Sequence, residues 1–290
     1  MILYDEPLSK HTYYRIGGPA RMLAIPKSLE DLRFLSREIQ EKGLDFFILG
    51  AGSNVLASDS GFPGIVIKTG RLNLEIVQTS PECIRTGGSA MISTLLRKAS
   101  QEGWGGLEFL TGIPGTVGGV VRMNGGTHLG EVADRLRKVE AFSLKEGNQE
   151  LTVFEREQLR FQYRKNLFLP SGSVVWSAEW EARQDEPAKV KAVIDETLAR
   201  RKATQPLDSP SCGSVFKNPK ESGLSAWQVI DRLGLRGHRI GDAQFSGKHC
   251  NFILNLGGAH AADVRGLIDL AKSRAKAELG ITLEEEVIYL

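Results

Sequence analysis

One stretch, residues 103–130, GWGGLEFLTGIPGTVGGVVRMNGGTHLG, limits what this chain can fold into more than any other. Ten of the 32 glycines fall within these 28 residues, interrupted by Pro114 and Asn124. So much backbone freedom disfavours a packed helix or strand interior, and the stretch reads as a binding surface. Without Cβ atoms a ligand can approach the backbone closely, and successive N–H groups then form a concavity suited to the anionic oxygens of a phosphorylated ligand. A run of tight turns between strands accounts for the same residues.

LGAGSNVLASDSG at 49–61 is a second glycine loop, placed after a predicted strand as a phosphate-binding turn should be. It nearly fits GxGxxG but has Val55 at the third glycine, and no acidic residue ends a second βαβ strand, which argues against a standard Rossmann site. A Walker A motif is absent, because Gly247-Lys248 is followed by His249 and lacks the glycine spacing. What remains is two separated glycine loops, at 50–54 and 112–126, each able to offer N–H groups to one extended pyrophosphate.

At 290 residues the chain exceeds the usual size of one core, which predicts two or three domains or one large α/β domain. Its 41% hydrophobic and 25% charged residues suit a chain that buries a proper core. With 37 basic residues against 35 acidic ones, and neither a basic block nor an acidic tail, small molecules are favoured as partners over nucleic acid and membrane surfaces. MILYDEPLSKHTYY has charges where a signal peptide's apolar core belongs, and no run reaches the ~18 apolar residues of a membrane span, so a cytoplasmic protein is expected. Cys83, Cys212 and Cys250 are far apart and odd in number; we expect buried thiols, with no disulfide framework and no metal site.

Ser28 precedes LEDLRFLSREIQEKG, in which Leu29, Leu32, Leu35 and Ile39 approximate a helical face, Asp31 completes a capping-box pattern and Gly43 supplies the stop. Apolar strands are predicted at 46–50 and 65–68. From about Arg71 come the short strands LEIVQ and CIRTG, a helix at 91–102 closed by Gly103, and, beyond the glycine stretch, VEAFSL and LTVFE paired across the polar LKEGNQE turn. VVWSAEWEA at 174–182 alternates as a half-buried strand. Pro187 opens a helix in which Val190, Val193, Ile194, Thr197 and Leu198 share a face. After the loop QPLDSPSCGS come the helix AWQVIDRLG, the strand NFILNL, a helix lined by Val264, Leu267, Ile268, Ala271 and Ala275, and a final strand in LEEEVIYL. The fold class is α+β, divided at 1–70, 71–186 and 187–290.

Other segments carry candidate chemistry. In FQYRKNLF, Arg164 stands with Tyr163, Lys165 and Asn166 between aromatic residues. A guanidinium there suits binding or polarising a carboxylate, since it stays charged and donates in a fork; a surface ion pair is the plainer reading. In SPSCGSVFKNP, Ser214 could deliver a proton if a neighbour eases its loss, and it also reads as a turn serine. His249 stands at a strand entrance, where histidines are commonly structural. Glu286 immediately precedes an apolar run, and a partly buried carboxylate there needs a partner.

Taken together, HTYYRIGGPA, ILGAGSNVLASDSGF, LEFLTGIPGTVGGVVRMNGG, YRKNLF, QPLDSPSCGSVFKNP, AWQVIDRLGLRGHRIGDAQFSGKHCNFILN and LEEEVIYL resemble, in order and over nearly the whole chain, the UDP-N-acetylenolpyruvoylglucosamine reductase family. The resemblance implies an FAD-binding fold of the vanillyl-alcohol-oxidase and p-cresol-methylhydroxylase type. Two N-terminal domains would clamp non-covalent FAD, and a C-terminal α+β domain would close over the sugar nucleotide. It implies FAD contacts at Gly50, Ala51, Gly52, Ser53 and Asn54, at Thr111, Gly112, Ile113, Pro114, Gly115, Gly118 and Gly119, and at Asn124, Gly125 and Gly126. The family's catalytic arginine, serine proton donor and carboxylate fall on Arg164, Ser214 and Glu286; Tyr163, Lys217, Asn218 and His249 fall on the substrate side. The implied reaction is NADPH-dependent reduction of the enolpyruvyl ether of UDP-N-acetylglucosamine to UDP-N-acetylmuramate, for peptidoglycan precursor synthesis, by a monomeric enzyme. Hydride would reach C3 from FAD N5, and a proton would reach C2 from Ser214.

The family commonly has Ser where Asn166 stands, Pro at Glu285 and Arg at Ile288, the last removing a cation near the catalytic carboxylate. With no insertion between Trp180 and Pro187, the chain looks like the subclass lacking the substrate-covering tyrosine loop. Competing readings are another FAD-dependent oxidase or dehydrogenase of this fold, in some of which a histidine tethers the flavin, and a non-catalytic nucleotide-sugar sensor. We read His128 as a loop histidine, and the presence of Arg164, Ser214 and Glu286 argues against the sensor.

Overall fold

The computed structural model describes residues 1–145, 149–220 and 222–290, so the middle of the expected LKEGNQE turn lies outside the described residues. The chain packs as two units. Met1–Leu3, Leu23–Ala51 and Gly64–Arg200 form the first; Tyr4–Met22, Gly52–Pro63 and Arg201–Leu290 form the second.

In the first unit α1 (Leu29–Lys42) begins at Ser28, whose Oγ accepts the Asp31 N–H at 3.1 Å, and ends at Gly43 in the left-handed region. The expected capping box is incomplete, because the Asp31 carboxylate accepts from the Lys27 N–H instead. Strand Phe46–Leu49 then pairs in parallel with residues 65–68. The larger sheet is antiparallel, in the order Leu151–Glu155, Leu136–Ser143, Ser173–Glu181, Cys83–Gly87, Ile76–Ser80. Ser173–Glu181 is its central strand and buries residues on both faces, where alternation predicted a half-buried one; Trp180 donates its indole N–H to Thr86 Oγ1 at 2.8 Å.

α2 (Ile92–Glu102) packs Leu95, Leu96 and Ala99 into a core with Trp104, Leu107, Val117 and Leu136. The glycine stretch corrects one expectation, because Val117–Met123 inside it form a helix, α3. Gly118 explains this: its N–H donates to the Gly88 carbonyl at 2.7 Å, and a Cβ there would lie 3.1 Å from that oxygen. Close approach to the backbone at residue 88, at about 1 kcal/mol of helix propensity per glycine, is what the residue provides. After the short α4 (Val132–Arg135), α5 (Pro187–Thr204) forms as expected but buries only Val190 and Thr197. Ile194 and Leu198 of the predicted face are half-buried, Ile194 packing against the core that holds Trp104 and Val117, and Val193 alone of the five is exposed, at 41%.

The second unit sets α6 (Ala226–Arg232) and α7 (Ala261–Leu279) with an antiparallel sheet, Arg239–Ile240, Ala243–Phe245, Ile253–Asn255. The predicted face of α7 is buried whole and joins Tyr14, Phe216, Val229 and Phe245 in the core. Its leading N–H groups, of Ala261 and Ala262, are accepted by the Asp59 carboxylate at 2.8 and 3.0 Å. The final strand is shorter than LEEEVIYL: only Ile288–Tyr289 forms one, parallel to Val55–Leu56, because residues 284–286 pair elsewhere. Among the described residues no helix is long and apolar enough to cross a membrane.

Candidate active site

In the first unit the two glycine loops meet. Gly50 and Ala51 follow strand Phe46–Leu49, and a Cβ on Gly50 would lie 3.0 Å from Thr116 Oγ1, which caps α3 by accepting the Gly119 N–H at 3.3 Å. Thr111, Gly112, Ile113, Pro114 and Gly115 make the turn between the 3-10 segment Glu108–Leu110 and α3. Thr111 Oγ1 is buried and has no hydrogen-bond partner among the described residues. An unsatisfied buried hydroxyl costs about 1–3 kcal/mol. Beside a cradle that a side chain on Gly50 would crowd, it fits an oxygen-rich ligand such as the FAD pyrophosphate.

Asn124 ends α3 in the left-handed region and is fully buried. Both ends of its amide are engaged, Nδ2 donating to the Gln162 carbonyl at 3.1 Å and Oδ1 accepting the Ala133 N–H at 3.0 Å. Its side chain therefore fastens the stretch holding Gly125 and Gly126 to the hairpin Phe161–Gln162 and Lys165–Asn166. Tyr163 and Arg164 are the two residues at the hairpin tip. Arg164 adopts φ 55°, a left-handed value that costs a non-glycine residue about 1–2 kcal/mol. Its guanidinium lies 5.0 Å over the Tyr163 ring and reaches back to the carbonyls of Asn124 (3.5 Å) and Gly126 (3.4 Å). Asn166 donates to the Arg122 carbonyl at 2.7 Å and accepts the Leu169 N–H at 3.1 Å, so its side chain ties the hairpin to α3.

In the second unit Ser214 and Glu286 lie on paired segments. The Glu286 N–H donates to the Val215 carbonyl at 2.7 Å and the Lys217 N–H to the Glu284 carbonyl at 2.8 Å. On the other side the Val215 N–H donates to the Asn251 carbonyl at 2.8 Å, while the Asn251 amide accepts from the Phe216 N–H at 3.0 Å and donates to its carbonyl at 2.9 Å. Gly52, Ser53 and Asn54 belong to this unit too. The Gly52 carbonyl accepts the Tyr13 N–H at 2.9 Å, and Asn54 donates its side-chain amide to the Glu286 carbonyl at 2.9 Å.

Burial pushes the Cys212 thiol up to about 12; the Tyr14 hydroxyl opposes that shift and the Glu286 charge adds to it. Burial also works to raise Glu285, but hydrogen bonds from Lys272 and Tyr289 outweigh it and hold that carboxyl below its ordinary range. Lys272 is ion-paired to Glu285, Arg265 lies 4.5 Å over the Tyr289 ring, and Ile288 is 36% exposed.

Of the expected substrate residues, Lys217 pairs with Glu284 at 3.3 Å. Asn218 is exposed, and its Oδ1 accepts the Ala226 N–H at 3.0 Å, a bond that serves the start of α6. His249 packs edge-on against Phe252 with ring centroids 5.0 Å apart, and its Nδ1 is buried without a partner among the described residues. Burial pushes its pKa down, and the charges of Arg236 and Arg201 act in the same direction. His128 in the glycine stretch stands 3.3 Å from Arg200. Among the described residues no group of three His, Cys, Asp or Glu could hold a metal ion.

Sequence reasoning missed Asn251 and Asn255. Both flank the apolar run FIL, where a buried amide requires partners, and that was the available signal. Asn255 finds its partner in the Tyr14 carbonyl at 2.9 Å.

Known proteins match this chain over nearly its whole length. Residues 20–150 match the family model described as an FAD binding domain, and residues 205–290 the one described as the UDP-N-acetylenolpyruvoylglucosamine reductase C-terminal domain. Over 287 residues, 99% of this chain and 95% of the relative, the sequence is 40% identical to UDP-N-acetylenolpyruvoylglucosamine reductase of Pelobacter propionicus. Over 286 residues, 99% and 92% of the two chains, it is 41% identical to the reductase of Moorella thermoacetica. The crystal structure of the Thermus caldophilus reductase matches with a TM-score of 0.83 at 34% identity, covering 100% of this chain and 98% of that one.

Proposed function

Since the chain belongs to the UDP-N-acetylenolpyruvoylglucosamine reductase family, we propose that it reduces the enolpyruvyl ether of UDP-N-acetylglucosamine to UDP-N-acetylmuramate, with NADPH as reductant and FAD as cofactor. Among the residues themselves, one observation carries this reading: the segment after Ser214 is hydrogen-bonded to Glu286, with Val215 accepting the Glu286 N–H at 2.7 Å. An acid candidate and a carboxylate, 72 positions apart by their numbering, are held on adjacent backbone.

The cradle of Gly50, Ala51 and residues 111–119 would hold the FAD pyrophosphate, with Thr111 Oγ1 among its donors, and Gly52, Ser53, Asn54, Gly125 and Gly126 would complete the contacts through backbone groups. When bound, FAD supplies the hydride that NADPH brings and that C3 of the substrate receives. Hydride addition to an alkene conjugated with a carboxylate drives negative charge onto that carboxylate. Arg164 stabilises the charge as an oxyanion site does, with a fork of donors fixed at the hairpin tip. Ser214 Oγ gives its proton to C2, and Glu286 orients the groups around it. Tyr163, Lys217 and His249 line the substrate, with Asn218 contributing from the start of α6.

In this reading 1–70 and 71–186 serve the cofactor and 187–290 serves the sugar nucleotide. The protein acts as a cytoplasmic monomer on small molecules, not on nucleic acid or membranes. Relatives named as reductases along 99% of this chain leave the oxidase and sensor alternatives without support. Purified protein tests the proposal. It should be yellow, bleach with NADPH and regain colour with the enolpyruvyl sugar nucleotide; a colourless protein that takes up no added FAD contradicts it.

A further inference from the structure

Phe216 pairs with Glu285 in an isolated antiparallel bridge, a pairing in which the bonds to the partner come from the residues on either side and the N–H and C=O of the bridge residue itself point away. The Val215 carbonyl and the Lys217 N–H face the C-terminal segment and pair with Glu286 and Glu284. The Phe216 N–H and carbonyl face the opposite way, where the flat side-chain amide of Asn251 presents one acceptor and one donor as a peptide would, at 3.0 and 2.9 Å. The Asn251 main chain adds the bond from the Val215 N–H at 2.8 Å. Asn251 is 4% exposed, Phe216 1% and Val215 0%, so no water can replace these bonds.

We infer that Asn251 is a positioning residue for proton delivery by Ser214, its amide standing in for a neighbouring strand and fixing the register of the segment that carries the serine. This rests on the reading of Ser214 as the proton donor. Proton transfer to carbon depends on placement within a fraction of an ångström, and a shift of 1 Å costs about 100-fold in rate. Loss of the amide leaves the Phe216 peptide unsatisfied on one side, where the bond from the Val215 N–H to the Asn251 carbonyl remains.

The test compares Asn251→Ala, Ser214→Ala and the double variant as FAD-loaded enzymes, following flavin reduction by NADPH and flavin reoxidation by the enolpyruvyl substrate separately. Asn251→Ala should alter reduction by less than about twofold and slow reoxidation by about 10–100-fold, with a larger solvent deuterium isotope effect on reoxidation. It should also speed amide exchange in residues 214–217 and leave α3 unchanged. In the Ser214→Ala background the same substitution should add nothing to the loss in reoxidation. An additive loss, or equal slowing of both half-reactions, overturns the inference and spares the reading of Ser214. Normal reoxidation in Ser214→Ala alone overturns that reading and the inference with it. If Asn251→Ala does not fold, Asn251→Asp serves: it keeps the acceptor, loses the donor at neutral pH and regains one when its carboxyl is protonated. Its reoxidation rate relative to the parent should therefore recover as pH falls, and a pH-independent ratio overturns the inference.

Discussion

The side-chain amide of Asn54 donates to the main-chain carbonyl of Glu286 at 2.9 Å, and the Asn54 carbonyl takes the Ile288 N–H at 3.0 Å. A loop expected to serve the cofactor therefore also fixes the backbone of the proposed catalytic carboxylate. Asn54→Ala removes one donor and keeps the pairing of Ile288 with Val55. Urea unfolding should show a loss of about 1 kcal/mol, and stopped-flow traces should show slower flavin reoxidation with NADPH reduction unchanged. An unaltered stability and reoxidation rate would contradict this role.

Gly126 supplies a carbonyl to Arg164, and a Cβ on it would lie 2.3 Å from the Gly130 carbonyl oxygen and 2.7 Å from Glu131 Cα. Both neighbours are backbone of the strand Gly130–Glu131 that pairs with Gly126–Thr127, and neither can swing aside. Gly126→Ala should destabilise the fold by about 1–3 kcal/mol and weaken FAD retention. Calorimetry and flavin content after gel filtration check it, and parental values for both would contradict it.

Stability should depend on pH through His249. Burial lowers its pKa in the folded chain, so below the unfolded value of about 6.5 the unfolded state binds a proton that the folded state does not. Stability should accordingly fall as pH drops below that value and level off beneath the folded pKa. His249→Gln, which does not titrate, should flatten the urea-unfolding profile between about pH 7.5 and 5. Identical slopes for the two proteins would contradict the assignment.

Local signals made part of this fold legible. The helices α1, α2 and α7 could be read because an apolar period of 3.6 ends each time in a glycine that adopts a left-handed φ, at Gly43, Gly103 and Gly280. α3 was not legible, because Gly118 answers to the Gly88 carbonyl and not to local propensity. The face of α5 was legible apart from its edge: Val190, Ile194, Thr197 and Leu198 are buried or half-buried, and Val193 is exposed. In the site, Arg164, Ser214 and Glu286 came from ordered motifs. Asn54 and Asn124 came from those motifs as cofactor contacts, but the way they and Asn251 hold these segments did not, since Asn124 acts through Gln162, Asn251 through Phe216 and Asn54 through Glu286, partners that no local pattern links.

The central claim is that Ser214 delivers the proton of the second half-reaction. Ser214→Ala, loaded with FAD and mixed anaerobically first with NADPH and then with the enolpyruvyl sugar nucleotide, tests it most directly. Flavin reduction should stay within about twofold of the parent, while reoxidation should slow by about 100-fold or more, because protonation belongs only to that step. Equal slowing of both half-reactions, or reoxidation at the parental rate, would show that Ser214 is not the proton donor.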